Sequence, residues 1–452
     1  MEISDIRFAK SGDINLAYQR YGAGKDVVLI PPIVSNVELG WEEETYRRVR
    51  EHLGSHVRVI ELDKRGIGSS DPFDRPPTLA ERMSDIAAVM DAEDVEHASV
   101  IGLSEGGLMA QVFAARHPDR VDRLVLINSL AGPSTFAAQR HHREPGDPRR
   151  TADELIGDFR RIADTWGREP EHFVDLACPS QRGNHAFLKW LGRFQRQTTS
   201  PAGFLRQFES VMPLDASADL AGIAAPTLVI HVKGDRVVPP STGRWLAANI
   251  SGARYVEFAG EDHYCWCMAH WRAIMDCWLE FVTGSAPTAT LERRFATIVF
   301  TDIIDSTGRC AEIGDQAWRA LLDRHDVTAR RTAARNGGAV VKSTGDGLLV
   351  TFDTPSSAIS FATSLRQELA SDRLDIRAGV HAGEIEVRDD GDIVGLAVNL
   401  AARVTAAAAP GSLYASSTVR DLLLGSGRTF EDRGEHSLKG IEGRWKLYEV
   451  RA

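Results

Sequence analysis

Between residue 24 and about residue 130, short apolar runs alternate with stretches whose apolar residues recur at helical spacing. Val27 to Ile30, Val57 to Leu62, Ala98 to Gly102 and Leu124 to Asn128 read as strands, because short unbroken apolar runs suit strands buried on both faces. Strand and helix in alternation predict a parallel sheet covered by helices. From about Ala131 to Ala218 this signal yields to Arg-rich and Trp-containing helical stretches, after which Thr227 to His231 and Arg254 to Phe258 resume it. The interruption predicts a helical cap inserted into the sheet domain.

The segment Thr283-Gly284-Ser285-Ala286-Pro287-Thr288-Ala289-Thr290 is small, polar and broken by Gly and Pro, the composition of a linker. It divides the chain into an α/β domain over 1–282, a linker over 283–292 and a second domain over 293–452. In the second domain Phe295 to Phe300 reads as a strand and Gln316 to Arg335 as a helix. Ala339 to Phe352 reads as two strands around Gly345-Asp346-Gly347, a hairpin with a tight glycine turn. Ser356 to Leu369 predicts a helix, Leu374 to Val387 a strand, and Leu396 to Ala408 a helix ended before Pro410-Gly411. This order is that of a ferredoxin-like α/β sandwich.

Composition narrows the function classes. The 452 residues are 43% hydrophobic and 26% charged, with 63 acidic against 53 basic side chains, so the chain is globular and lacks the basic surface that coats nucleic acid. The start, Met1-Glu2-Ile3-Ser4-Asp5, is unlike a secretory signal, and no apolar stretch approaches the roughly 18 residues of a membrane span. A cytoplasmic location is therefore expected. The odd number of cysteines, 5, fits reduced thiols better than a disulfide framework. His263, Cys265 and Cys267 are too crowded for a usual zinc pattern and read as packing residues.

Two carboxylates fall where strands give way to turns: Asp302 in Phe300-Thr301-Asp302-Ile303-Ile304-Asp305-Ser306-Thr307, and Asp346 between two glycines. Each alone could be a turn residue, but hard cations such as Mg2+ and Mn2+ want oxygen ligands of this kind. Asn399 and Arg403 lie four apart on a predicted helix and so share a face, with Asp392 just before it. These segments, with Lys342-Ser343-Thr344-Gly345-Asp346-Gly347, Asp392-Ile393-Val394-Gly395, Val398-Asn399-Leu400-Ala401-Ala402-Arg403 and Leu438-Lys439-Gly440, resemble the successive signatures of class III adenylate cyclases over about Arg293 to Ala452.

That resemblance implies conversion of ATP into 3',5'-cyclic AMP and pyrophosphate, with two Mg2+ or Mn2+ ions per site. It assigns Asp302 and Asp346 to the metals, Ile303 being counted with them. Lys342 and Asp392 would read adenine, Asn399 orient the ribose, Arg403 stabilise the transition state and Lys439 grip the triphosphate. It also implies a homodimer packed head to tail, with Asp302 and Asp346 of one protomer facing Lys342, Asp392, Asn399 and Arg403 of the other.

In the first domain Gly102-Leu103-Ser104-Glu105-Gly106 follows an apolar strand and opens a helix, the context of a nucleophile elbow. Asp235 in Gly234-Asp235-Arg236-Val237-Val238-Pro239 follows one later strand, and His263 in Gly260-Glu261-Asp262-His263 follows the next. With Asp63-Lys64-Arg65-Gly66-Ile67-Gly68-Ser69-Ser70-Asp71, residues 1–282 resemble α/β hydrolases. The resemblance implies that Ser104 attacks, His263 shuttles the proton, Asp235 orients the imidazole and the Glu105 amide is one oxyanion donor. Where that family carries His-Gly, this chain has Pro31-Pro32. Proline has no amide hydrogen, which leaves Ile33 as the expected second donor. Two readings stay open for this half: an esterase-like hydrolase acting on an unknown small-molecule ester, or a ligand-sensing domain that regulates the cyclase.

Overall fold

A computed structural model of the chain describes residues 1–132, 152–287, 292–343, 345–372, 374–388 and 392–451. Residues 133–151 of the expected cap, 288–291 of the expected linker, and Thr344 lie outside the described residues. Two compact units emerge, Met1–Thr288 and Ala289–Ala452.

The first unit is built on eight strands: β1 (Arg7–Ser11), β2 (Ile14–Gly22), β3 (Asp26–Ile30), β4 (Arg58–Leu62), β5 (Ala98–Leu103), β6 (Val121–Ile127), β7 (Thr227–Val232) and β8 (Arg254–Phe258). They lie in the order β1-β2-β4-β3-β5-β6-β7-β8. From β4 across to β8 every pairing is parallel. The parallel sheet expected from residue 24 onward is thus observed, and ahead of it β1 pairs with β2 and β2 with β4 in antiparallel fashion. Only Gly12 and Asp13 separate β1 from β2, and so short a connection permits only a hairpin.

The continuous apolar runs are explained by burial on both sides. Val27, Leu29, Ile101, Val125 and Ile127 enter one core cluster, while Val28, Ile30, Val100, Leu124 and Leu126 enter another. Successive residues point to opposite faces of a strand, and helices cover both. Between β6 and β7 the chain inserts helices Ala152–Asp164, Glu171–Ala177, His185–Thr198 and Pro201–Val211. Asn184 accepts from the Phe187 N–H at 3.2 Å, and Ser200 accepts from Gly203 at 3.0 Å ahead of Pro201. These are helix N-caps. Phe159 stacks on Phe208, and Trp166 on Phe204, each at 4.3 Å between ring centroids.

The second unit comprises β9 (Glu292–Ile303), β10 (Gly338–Ser343), β11 (Gly347–Phe352), β12 (Ile376–Val387), β13 (Ile393–Val394), β14 (Leu413–Ser416), β15 (Thr429–Ser437) and β16 (Arg444–Arg451). The order β10-β11-β9-β12 is the ferredoxin-like core, extended by β14-β16-β15, while β13 pairs with β12. Helices Asp315–Arg335 and Pro355–Leu369 bury Leu321, Ala329, Phe361 and Leu365 against the sheet. Helix Leu396–Ala407 packs on β12 and β9. A Cβ at Gly379 would lie 2.2 Å from the Thr405 nitrogen, so this close approach needs glycine. Ile385 and Ile393 share a small cluster with Leu349 and, at its margin, Val341. The β12–β13 arm is thereby packed against β10 and β11.

Candidate active sites

Ser104 occupies the turn between β5 and helix Glu105–Arg116, with φ 53° and ψ −126°. A non-glycine residue there stores about 1–3 kcal/mol of strain, a common feature of functional turns. Gly106 makes the turn possible, since a Cβ at that position would sit 2.4 Å from the Pro31 carbonyl oxygen. Ser104 Oγ lies 2.8 Å from His263 Nε2, and His263 Nδ1 lies 2.7 Å from Asp235 Oδ2. With Nδ1–H donating to the carboxylate, Nε2 is free to accept the serine proton. Asp235 is fully buried, and its Oδ1 accepts from the Val237 and Val238 amides at 2.8 and 3.1 Å. Its orientation is therefore set by backbone.

Three supporting residues escaped the sequence reading. Asn128, at φ 48° just after β6, donates from Nδ2 to the His263 carbonyl at 2.7 Å and accepts at Oδ1 from Val232 N–H at 2.8 Å. An Asn at the end of a strand, tolerant of positive φ, was the only signal for it. Asp262 accepts from Ser180 N–H at 2.9 Å and from its hydroxyl, and Tyr264 N–H donates to the Ala177 carbonyl at 3.1 Å. The cap thus grips the loop that carries His263. Lys64 is buried beside Glu105, with which it forms an ion pair, and donates to the Pro31 and Pro32 carbonyls at 3.1 and 2.8 Å.

Ile33 and Glu105 join Ser104 in the wall of one cavity, lined mostly by apolar side chains such as Leu108, Phe159 and Val237, with Arg236 as a charged member of the wall. No group among the described residues accepts from the Ile33 or Glu105 N–H. Cys265 and Cys267 are buried in the turn that follows His263.

In the second unit the register places Asp302 of β9 opposite Gly347 of β11 and Arg377 of β12. Ile303 N–H donates to the Asp346 carbonyl at 3.0 Å, so the two aspartates end up on neighbouring chain segments. Asp302 Oδ2 accepts from Arg377 at 2.7 and 2.5 Å, and Asp346 Oδ2 accepts from the Ser306 hydroxyl at 2.5 Å. Neither Arg377 nor Ser306 was foreseen. Both carboxylates are only partly exposed, so the pair suits a hard divalent cation as an oxygen donor set, which would compete with Arg377 for Asp302. The buried Ile303 side chain has no donor atom, and only its backbone carbonyl could serve.

Lys342 Nζ donates to Asp392 Oδ2 at 2.6 Å. That contact holds the Asp392 carboxyl below the usual carboxylate range. Asn399, Arg403 and Lys439 are exposed, and among the described residues no hydrogen bond or ion pair holds their side chains. On the same helix as Asn399 and Arg403, Leu396 exposes 62% of its surface, an apolar neighbour to unpartnered polar groups.

Residues 27–265 match the family model of the alpha/beta hydrolase fold, and residues 292–452 that of the adenylate and guanylate cyclase catalytic domain. The first unit is similar to a 2-hydroxy-6-oxononadienedioate/2-hydroxy-6-oxononatrienedioate hydrolase of Paraburkholderia xenovorans, 29% identical over 278 residues, 58% of this chain and 90% of that one. The second is similar to putative adenylate cyclase 3 of Rhizobium meliloti, 33% identical over 165 residues, 34% of this chain and 27% of that one. In fold, the esterase RhEst1 from Rhodococcus sp. ECU1013 superposes with a TM-score of 0.51 at 23% identity, covering 62% of this chain and 98% of that structure.

Proposed function

Because the chain belongs to the alpha/beta hydrolase fold family and carries beyond it a class III adenylate and guanylate cyclase catalytic domain, we propose that it is an adenylate cyclase, making 3',5'-cyclic AMP and pyrophosphate from ATP. The observation that carries the choice of purine is the Lys342–Asp392 pair, one donor beside one acceptor at 2.6 Å. Adenine offers an acceptor at N1 and a donor at its 6-amino group, which that pair complements. Guanine offers the reverse.

Asp302 and Asp346 would hold divalent cations, Mg2+ or Mn2+, which when bound neutralise the triphosphate and acidify the ribose 3'-hydroxyl. Arg403 meets negative charge that grows as the bond to pyrophosphate breaks. Asn399 hydrogen-bonds the ribose, and Lys439 contacts the triphosphate. The free side chains of Asn399 and Arg403, on the same helix as exposed Leu396, support a site completed by a second protomer across a two-fold axis. Among the described residues no helix is long and apolar enough to cross a membrane. Incubating the protein with ATP or GTP and Mn2+ and identifying the products tests the reading. A product other than cyclic AMP from ATP overturns it.

A second reading rests on the hydrogen-bonded Ser104, His263 and Asp235: the first unit hydrolyses esters with an apolar acyl group. Ser104 Oγ attacks the carbonyl carbon while His263 Nε2 takes its proton. The oxyanion turns toward the Ile33 and Glu105 N–H groups, and His263 returns the proton to the leaving alcohol. Water, activated by the same imidazole, then releases the acid. Turnover of short-chain p-nitrophenyl esters that vanishes in Ser104→Ala tests this. Tight binding of an apolar ligand without turnover would mark the unit as a sensor instead.

A further inference from the structure

The loop after β3 is the part of the hydrolase unit whose sequence departs from the family pattern. Pro31 and Pro32 lack N–H groups, so this loop depends on Ile33 for an oxyanion donor. A donor on a loop must be held within a fraction of an ångström to act on a transition state. What holds it is visible in Lys64. Its side chain is 5% exposed and that of Glu105 6%, and its three ammonium protons have three acceptors: the Pro31 carbonyl, the Pro32 carbonyl and the Glu105 carboxylate.

Each contact bears on an oxyanion donor. The Pro32 carbonyl and the Ile33 N–H belong to one peptide group, so an ammonium bound to the oxygen both orients and polarises that N–H. Glu105 supplies the other N–H from its own backbone. Gly106 packs against the Ile30 and Pro31 carbonyls, so elbow and loop already touch at the point where Lys64 joins them.

Resting on the hydrolase reading above, we propose that Lys64 is the positioning residue of the oxyanion hole, a buried cationic tether that ties the Ile33 peptide to Glu105. The two halves of the device are residues 41 positions apart, and both are charged and buried, with Arg82 and Asp63 as buried charged neighbours. Burial drives the Lys64 pKa down and Glu105 opposes that shift.

The test uses the full chain with p-nitrophenyl butyrate and a boronic acid that forms a tetrahedral adduct on Ser104. In Lys64→Met, kcat is expected to fall about 100-fold, the loss typical of one oxyanion donor, with KM nearly unchanged. Affinity for the boronic acid is expected to fall by a similar factor. Lys64→Met combined with Glu105→Leu removes both charges and protects folding, and the same kcat defect is expected because the tether is still missing. A kcat near wild type in the folded double variant, or a loss confined to KM and melting temperature, would show that the pair only packs the core. Wild-type protein that neither turns over ester nor reacts with a fluorophosphonate at Ser104 would overturn the hydrolase reading and the tether with it.

Discussion

Exchanging the polarity of two side chains is expected to reverse the purine choice proposed above. Lys342 and Asp392 are 47% and 25% exposed, so as a structural ion pair they contribute at most about 1 kcal/mol to stability. Replacing them is expected to leave the fold intact, so that a change in nucleotide preference reports on the substrate. With guanine in place of adenine, both the lysine donor and the aspartate acceptor face a group of like kind. Each unpaired polar group costs about 1–3 kcal/mol, or roughly 2–6 kcal/mol for the two, which at about 1.4 kcal/mol per tenfold step is roughly 30-fold selectivity or more. The assay measures kcat/KM for ATP and GTP separately, with cyclic products resolved by chromatography. Wild type is expected to favour ATP, and Lys342→Glu with Asp392→Cys is expected to favour GTP. Equal rates for the two nucleotides in wild type, or an active double variant that still prefers ATP, would refute the assignment of this pair as the base reader.

Three further outcomes are expected. Asp302→Ala and Arg403→Ala are each expected to be nearly inactive, while their co-expressed mixture regains part of the activity; demonstrated heterodimers without recovery would place each site within one chain. Arg377 pairs with Asp302 through two contacts, and its removal in Arg377→Ala is expected to tighten Mn2+ binding several-fold in a direct titration followed by electron paramagnetic resonance; unchanged affinity would show that the arginine does not compete with a cation there. His381 is buried beside Ser416, and burial lowers its pKa from 6.5 to about 4. The unfolded chain therefore gains a proton before the native one, so this histidine's contribution is complete above about pH 6.5 and is lost as pH falls toward 4. At about 1.4 kcal/mol per pH unit it amounts to at most about 3.5 kcal/mol. Calorimetry of the second unit's transition is expected to show a shallower acid slope in His381→Gln, and an unaltered slope would remove His381 as its cause.

Some of this molecule was legible because local chemistry demanded it. The runs at β3, β5, β6 and β7 are apolar on both faces because both faces are covered, and glycines flank Ser104 because its turn has no room for side chains. The edges were less legible. The β15 sequence is polar and almost entirely unburied, so it carries no hydrophobic period; cross-strand pairs such as Lys446 with Asp432 and Arg444 with Glu435 hold it to β16. The β1–β2 hairpin was missed for want of an apolar run like those that follow.

Residue types, their order and their positions at strand ends were determined by the sequence alone: Ser104, Asp235 and His263 in hydrolase order, Asp302 and Asp346 beside their turns, Asn399 and Arg403 on one helical face. Tertiary structure alone decided which groups meet. Ser104 reaches His263 across 159 positions, Asn128 holds the His263 carbonyl across 135, and Arg377 finds Asp302 across 75. Periodicity and turn chemistry act over a few residues, whereas a hydrogen bond depends on distances that only strand order and packing of the whole domain establish. For that reason Lys64, Asn128 and Arg377 look like ordinary polar residues in the chain and become specific only once the sheets have formed.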